Sequence, residues 1–448
     1  MTKTPRCTGK GHSIKCAALW CTVSCLFGIL ASIVGPTATI LAEQTHSTEA
    51  DLAPMLGMGG ICTLLTGLPS GWIFDFMPRQ GNRLVAATLL VEAAAYTLMT
   101  LCTSVLELTV VYAVIGLVFN VVSTGLNVMV IWEFTTHAPQ HLPLVLNLLS
   151  ASFGLGGIIA PQLVNLASIA SPAGGVAAYY AVSTAAAVMA VAVGVTRSPT
   201  PPGSHLALAQ SEGQHKEQRT EEPALLVLFA NVSIELGYAG WVYVYARDVG
   251  GVSDYAAESL CSVYWMAFTG GRLLAAVLVT IIPCGTVLLW SMPLAVVGAA
   301  WPLLAPGPTA TIASVLLVGL GASAGFPTTL GMTAECIPLD GHLNGLISTV
   351  TGLSITLLPS AIPFMAKRDP QRGFAWLMIA TLAMALMQYV CLVQLVCASK
   401  GITRRAAIAA AAAGSSSPGE ADPEAPRSAH ATHVVHDEAL TTPLLSGA

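Results

Sequence analysis

The stretch LFANVSIELGYAGWVYVYARDVG, residues 228–250, is almost entirely apolar, yet it carries the carboxylate Glu235. A charged side chain at the centre of a membrane helix costs about 2.5–3.5 kcal/mol on insertion scales and normally faces a cavity or a partner. The whole 448-residue chain is similarly apolar, with 54% hydrophobic and only 9% charged residues and a mean hydropathy of +0.71. Soluble domains carry about 25% charged residues. The composition therefore predicts an all-α membrane protein.

Twelve apolar segments are long enough to cross a bilayer, since a spanning helix needs roughly 20 apolar residues. Period-two alternation is absent and each run exceeds the length of a barrel strand, which excludes transmembrane β-structure. The predicted segments are 17–41, 52–74, 84–104, 107–132, 142–168, 174–195, 223–247, 255–280, 284–304, 308–334, 341–365 and 372–398.

The distribution of lysine and arginine predicts the orientation. With the N-terminus inside, thirteen of the 18 basic residues fall on the cytoplasmic side. Four fall outside, namely Arg247, Lys367, Arg368 and Arg372, and Arg272 lies within a span. This asymmetry follows the positive-inside rule. Both termini are expected to be cytoplasmic, and the plasma membrane is the expected location because no organelle signal is present.

The twelve helices are expected to form two six-helix bundles. Residues 196–222, rich in Pro, Ser, Gln and Glu, make the longest polar stretch between spans and predict a mobile linker. The predicted organisation is an N-terminal tail (1–16), a first bundle (17–195), the linker (196–222), a second bundle (223–398) and a disordered C-terminal tail (399–448). Two six-helix bundles are typical of transporters with a midplane site between repeats.

The motif GWIFDFMPRQGNRL, residues 71–84, follows the second segment with a central Asp75 and the basic residues Arg79 and Arg83. It resembles the signature of major facilitator transporters between their second and third helices. A carboxylate there can accept hydrogen bonds from helix N-termini and arginines. We therefore expect Asp75 and Arg83 to form a cytoplasmic gate.

Five further blocks resemble the sodium-dependent glucose transporter branch of the fucose-permease-like facilitators. They lie in segments one, four, seven, eight and ten, in the order found in that family. The blocks are GPTATILAEQTHS (35–47), STGLNVMVIWEF (123–134), IELGYAGWVYVYA (234–246), VYWMAFTGGRL (263–273) and GFPTTLGMTAECI (325–337).

This resemblance implies the major facilitator fold, a central site between the halves and transport of a hexose, with Na+ or H+ as the candidate coupling ion. Ser123 stands where relatives usually carry an aspartate. No other cofactor and no metal site are expected. Glu133, His137 and His141 have metal-like spacing, but Pro139 breaks the helix that would align them.

Aromatic residues accompany Glu235 on one side of its predicted helix. At about 100° per residue, Tyr238, Trp241 and Glu235 fall within an arc of about 120°. This stripe offers a carboxylate to sugar hydroxyls and ring faces to a pyranose. An interfacial aromatic belt would explain Tyr245 at the outer end, but not Glu235 and Tyr238.

The eighth segment places Arg272 at depth, because ten apolar residues follow it in LLAAVLVTII. An ion pair with Glu235 or a contact to substrate would offset the cost of burying it. Asn127 and Gln44 complete the predicted substrate site. Buried amides suit hydroxyl recognition, and helix–helix hydrogen bonding is an equally good interpretation for them.

Two further acidic residues, Glu133 and Glu335, end segments four and ten at corresponding places in the two halves. They are expected either to stabilise the gate or to lie on a solvated rim.

The sequence thus predicts a transporter of a small polar solute, foremost a hexose, working by alternating access. Alternatives are a carrier of an amino acid or carboxylate and a non-transporting sensor. Motifs of hydrolases and phosphate-binding enzymes are absent, so an enzyme is not expected. The sequence has no basic stripe of the kind that nucleic-acid binding requires. The expected partners are the small-molecule substrate and the lipid bilayer.

Overall fold

The computed structural model describes residues 10–171, 174–201, 214–248, 250–337, 339–366, 376 and 379–394. These residues fold into α-helices joined by short connections. The helices are α1 Lys10–Ser32, α2 Ala38–Gln44, α3 Ala53–Phe76, α4 Gly81–Met99, α5 Val105–His137, α6 Leu142–Ala170, α7 Val176–Gly194, α8 Gln214–Asp248, α9 Asp254–Leu278, α10 Cys284–Leu304, α11 Pro308–Ser323, α12 Gly325–Cys336, α13 Gly341–Ala366 and α14 Ile379–Gln394.

Within the described residues, nine helical stretches are long and apolar enough to cross a membrane. Helices α4 and α13 have spanning lengths of 19 and 26 residues, and α14 is a shorter apolar helix. With α11 and α12 forming one span and the seven-residue α2 none, the architecture is consistent with twelve crossings.

Two helix breaks occur where glycine and proline interrupt apolar segments. The first predicted segment, 17–41, divides into α1 and α2 around Gly35 and Pro36, since proline lacks the N–H that would continue the helix. The tenth segment, 308–334, divides between Ser323 and Gly325. Backbone groups that lose their helical hydrogen bonds at such breaks are tolerated where they are buried in protein or line a cavity.

Some helices extend beyond the limits that hydropathy predicts. Helix α1 begins at Lys10, inside the predicted tail, and α8 begins at Gln214, inside the predicted linker. Glu, Gln, Lys and Arg between residues 214 and 222 are good helix formers, so the helix continues past the apolar boundary. Residues 202–213, the predicted C-terminal tail and most of the loop before α14 lie outside the described residues.

The helices pack as two similar halves, α1–α7 and α8–α14. In the N-terminal half α1 packs on α6 and α3 on α5, and in the C-terminal half α8 packs on α13 and α9 on α11. Between the halves, α3 packs on α13 and α6 on α9. The same pairings recur in both halves, as expected for a repeated bundle. We call the end where α1 begins the N-terminal face, and the other end the opposite face.

Glycines bring α3 and α13 into backbone contact near the N-terminal face. A methyl group at Gly71 would overlap the carbonyl oxygen of Gly341 and would lie 2.8 Å from Cα of Gly345. Small residues let membrane helices approach this closely. On the other side of the interface, a methyl group at Gly154 of α6 would lie 2.6 Å from Oγ1 of Thr269 on α9.

Candidate functional site between the two halves

A central cavity of about 440 Å³ lies between the two halves. Both halves contribute to its wall, and it reaches toward the opposite face as far as Ser32, the last residue of α1. Its lining is Ser24, Phe27, Ala31, Ser32, Phe119, Ser123, Leu126, Asn127, Leu149, Ser150, Phe153, Val232, Glu235, Leu236, Trp265, Arg272, Phe326 and Thr351. A concave, mainly apolar pocket with a few polar groups is typical of a small-molecule site.

Glu235 and Arg272 form a buried ion pair in the wall of this cavity. One guanidinium nitrogen, Nη2 of Arg272, lies 3.1 Å from Oε1 and 3.2 Å from Oε2 of Glu235. The side chains are only 4% (Arg272) and 9% (Glu235) exposed. The ion pair proposed from the sequence is therefore present. Each charge offsets the burial cost of the other, although buried pairs only partly recover their desolvation penalty.

The Arg272 guanidinium also joins the two halves. Its Nη1 donates to the backbone carbonyl oxygen of Ser150 on α6 at 3.0 Å. Its Cζ lies 4.2 Å from the ring centroid of Phe268, one helical turn away, in a cation–π contact. Its Nε is buried and has no hydrogen-bond partner among the described residues. Arg272 is thus held from both halves at the edge of the cavity.

An aromatic side chain that sequence reasoning did not select lies beside this pair. Trp265 lines the cavity, and its ring makes edge-on contacts with Tyr264 at 5.5 Å and Phe268 at 5.9 Å between centroids. These contacts fix the orientation of the indole. The signal was available, since Trp265 lies seven residues before Arg272 and therefore on the same side of α9.

Asn127 lines the cavity, as the sequence predicts. Its amide nitrogen donates to the carbonyl oxygen of Ser123 on its own helix at 3.1 Å. The side-chain oxygen is left as an acceptor. Contact between Asn127 and a substrate stays a prediction.

Two other predicted substrate residues lie away from the cavity. Tyr238 is fully buried in the C-terminal half, where its hydroxyl pairs with Ser314 at 2.7 Å. The nitrogen of the Gln44 side chain donates to the carbonyl oxygens of Met99 and Cys102, close to the C-terminal end of α4. Both polar groups are satisfied by structural partners, which corrects their assignment to the site. The side chain of Trp241 lies outside the described part of the structure.

Asp75 links the two halves at the N-terminal face. Its Oδ1 accepts the backbone N–H of Gly341 and its Oδ2 that of His342, both at 2.7 Å. These are among the first N–H groups of α13, which have no partner within the helix. Asp340 caps the same end through the N–H of Leu343 at 2.8 Å. A carboxylate from the other half therefore completes the capping of α13, as its partial positive charge favours.

The other predicted gate residues have different surroundings. Arg83 is exposed, and no ion pair joins it to Asp75 in the described structure. Glu133 accepts a hydrogen bond from the Ser13 hydroxyl at 2.6 Å, which joins α5 to α1 inside the N-terminal half. The predicted contact between Asp75 and Arg83 is thus replaced by hydrogen bonds from the backbone to Asp75. The described hydrogen bond of Glu133 stays within the N-terminal half. The side chain of Glu335 is outside the described part.

Further hydrogen bonds join the halves between the cavity and the N-terminal face. The Thr124 and Ser348 hydroxyls lie 2.6 Å apart, and Nδ2 of Asn147 donates to Oγ1 of Thr328 at 3.1 Å. Together with the Asp75 contacts, they close the interface on this side of the cavity. The arrangement separates the cavity from the N-terminal face.

Replacing Asp75 with alanine is expected to weaken this closure. Loss of a helix cap costs about 1 kcal/mol, which shifts a two-state equilibrium roughly fivefold. The conformation that is closed at the opposite face should gain population, so a cysteine introduced at Ser32 should react more slowly with an impermeant maleimide applied from that face. The background labelling rate of the native cysteines is measured on the protein without the Ser32→Cys substitution.

Asp51→Ala is the matched control for Asp75→Ala. Asp51 also accepts two hydrogen bonds, but both come from Thr48 within one loop. An equal change in the Ser32→Cys labelling rate for both variants would contradict the role assigned to Asp75.

Comparison with known proteins agrees with this arrangement. The family model described as Major Facilitator Superfamily matches residues 20–359. A sodium-dependent glucose transporter 1 from Xenopus laevis is 24% identical over 399 residues, which cover 80% of this chain and 76% of that protein. A sodium-dependent glucose transporter 1A from Mus musculus is 24% identical over 383 residues, which cover 77% of this chain and 88% of that protein.

Solved structures share the fold at lower sequence identity. The E. coli fucose:proton symporter aligns with a TM-score of 0.69 at 15% identity, covering 86% of this chain and 99% of that one. A proton:xylose symporter bound to 6-bromo-6-deoxy-D-glucose aligns with a TM-score of 0.66 at 12% identity, and the alignment covers 86% of this chain and 95% of that one. With two similar halves around a shared cavity and a family match over most of its length, this chain belongs to the Major Facilitator Superfamily.

Proposed function

We propose that this protein transports a hexose across a membrane by alternating access, with the central cavity as the binding site. The observation that carries the proposal is the charge state of the cavity wall. Glu235 and Arg272 are the charged residues in its described lining, and they neutralise each other. A neutral solute fits this wall better than an anion or a cation, each of which would need an unpaired counter-charge.

The uncharged lining suits a sugar. Hydroxyl and amide groups line the cavity from both halves, including those of Ser32 and Asn127 in the N-terminal half and Thr351 in the C-terminal half. Such groups donate to and accept from sugar hydroxyls. The Trp265 ring offers an apolar face for the C–H side of a pyranose. The relatives named as glucose, fucose and xylose transporters support the same class of solute.

We further propose that the N-terminal face is cytoplasmic and that the membrane is the plasma membrane. Lys15, Arg79, Arg83 and Arg197 lie near helix ends at this face. Positive charges in short loops favour the cytoplasmic side. The hydrogen bonds from Gly341 and His342 to Asp75 would then form the cytoplasmic gate, and the cavity would face outward in this conformation.

Counterflow in proteoliposomes tests the proposed function. Vesicles that contain the purified protein are loaded with unlabelled D-glucose and diluted into a trace of labelled D-glucose, which should accumulate transiently. Unlabelled L-fucose, D-xylose, lactate and alanine are then compared as competitors. Accumulation inhibited by sugars supports a hexose carrier. Exchange of lactate or alanine, but not of sugars, would identify the alternative cargo, and no exchange at all would favour a non-transporting protein.

Trp265→Ala is expected to raise the KM for D-glucose in the same assay. One ring face buries about 50 Å² of apolar surface, which at about 25 cal/mol per Å² corresponds to roughly a tenfold loss of affinity. Trp290→Ala is the control, because Trp290 is 76% exposed on α10, away from the cavity. An unchanged KM in Trp265→Ala would remove the indole from the site.

A further inference from the structure

Glu92 is a buried carboxyl in the middle of α4 that the proposed substrate site does not use. It is 1% exposed, and its Oε2 has no hydrogen-bond partner among the described residues. The ion pairs in the described structure are Arg247–Asp248 and Arg272–Glu235, so Glu92 belongs to neither. A carboxylate without a counter-charge is too costly to keep in this environment, and such a group becomes neutral instead. Glu92 is therefore expected to hold a proton in this conformation.

The groups around Glu92 are acids rather than bases. Tyr96, one turn along α4, stacks on Tyr179 of α7 with 6.2 Å between ring centroids, and it lines a cavity together with Tyr112 of α5. The Tyr96 hydroxyl donates to the carbonyl oxygen of Leu30 at 2.7 Å. Helices α5 and α7 pack on α4 along the bundle. No lysine, arginine or histidine is among these described neighbours to supply a counter-charge, and binding a proton is the simplest way to keep the Glu92 carboxyl neutral.

A side cavity of about 180 Å³ adjoins the substrate site and begins one helical turn from Glu92, at Tyr96. Tyr96 and Tyr112 both line it, and it shares Ala31 and Phe119 with the central cavity. Its full lining is Ala31, Leu56, Gly59, Gly60, Thr63, Tyr96, Tyr112, Ile115, Gly116, Phe119 and Gly352. A proton exchanged by Glu92 would enter this cavity beside Tyr96, one helical turn along α4.

The C-terminal half supplies part of the wall of this side cavity. Gly352 belongs to α13, whereas the other lining residues come from the N-terminal half. Alternating access moves the two halves against each other. Such a motion would displace α13 from the wall and change the hydration of the cavity beside Tyr96. The protonation of Glu92 would then depend on the conformation, which is the requirement for coupling.

We propose that Glu92 is the proton-binding site of this transporter and that one proton is carried with each hexose. The proton binds to the Glu92 carboxylate in one conformation and leaves through the side cavity in the other. This inference rests on the proposed function, because it assigns a coupling ion to the same transport cycle.

The test uses proteoliposomes that contain the full-length protein, with labelled D-glucose as the solute. An inward proton gradient of one pH unit should sustain about a tenfold accumulation in the wild type if one proton accompanies each sugar. Glu92→Gln should lose this accumulation and only equilibrate the sugar, while counterflow without a gradient continues. Ser183→Ala is the matched control, because the Ser183 hydroxyl is a buried polar group in the same half that also lacks a described partner; this variant should retain acid-driven accumulation.

The outcomes separate the two proposals. Absence of D-glucose counterflow in the wild type would refute the proposed function. Counterflow without acid-driven accumulation, or accumulation driven by sodium alone, would refute only the proton site, as would acid-driven accumulation in Glu92→Gln. If Glu92→Gln also loses counterflow, Glu92→Asp decides: recovery of acid-driven accumulation supports the proposal, and failure to recover it overturns the proposal.

Discussion

Glu235→Gln is expected to lower the initial rate of D-glucose counterflow by at least tenfold. The substitution keeps the shape of the side chain but removes the negative charge 3.1 Å from Nη2 of Arg272. Breaking a buried ion pair costs about 3–5 kcal/mol, because the remaining charge has no compensation. The unpaired guanidinium would also turn a neutral cavity wall into a cationic one. Counterflow is measured with equal amounts of inserted protein.

The double variant Glu235→Gln/Arg272→Gln separates a structural role from a role in recognition. It removes both charges, so the desolvation penalty of an unpaired ion disappears. If the pair serves only packing, the double variant should recover counterflow. We expect it to insert and fold but to stay at least about tenfold less active, because both groups contact the solute in the proposed site. Wild-type kinetics in the double variant would contradict that role.

Gly71→Val is expected to abolish transport while leaving membrane insertion intact. The valine Cβ would overlap the carbonyl oxygen of Gly341 and approach Cα of Gly345, both of them backbone atoms. Backbone cannot rotate away as a side chain can, so α3 and α13 must separate at the N-terminal face. Separation would pull Asp75 from the N–H groups that it caps. Counterflow and the labelling of Ser32→Cys from the opposite face both report the change.

Gly57→Val is the matched control on the same helix. A methyl group at Gly57 would contact nothing within 4 Å, so the substitution adds similar bulk without a clash. It should keep counterflow within about twofold of the wild type, as surface substitutions usually cost under 0.5 kcal/mol. If both valine variants were equally active, the close approach of α3 and α13 would not matter for transport.

Hydropathy predicted the architecture well because the bilayer constrains it strongly. Each span must be long and apolar, so segments such as 142–168 lie close to their observed helices. The break at Gly35 and Pro36 was also visible, since proline cannot continue a helix. The starts of α1 and α8 were not, because those helices continue into polar sequence that hydropathy alone reads as tail or linker.

Individual site residues were harder to predict. The angular pattern placed Tyr238 beside Glu235, yet it does not distinguish a ring facing the cavity from one facing a neighbouring helix such as α11. For Gln44, the sequence does not reveal that its side-chain nitrogen donates to the main-chain carbonyl oxygens of Met99 and Cys102, which hold it away from the cavity. For Asp75 the sequence indicated helix N-termini and arginines as partners, and the structure shows the N-terminal N–H groups of α13 but not Arg83. The Glu235–Arg272 pair could be predicted because opposite charges within the membrane favour pairing.

A cryo-electron microscopy structure of the protein in lipid nanodiscs with D-glucose tests the central claim most directly. We predict one hexose between the two halves, its hydroxyls within hydrogen-bond distance of Glu235 or Arg272 and its ring against Trp265. Sugar density elsewhere, or Glu235 and Arg272 turned apart toward the lipid, would contradict the proposed site.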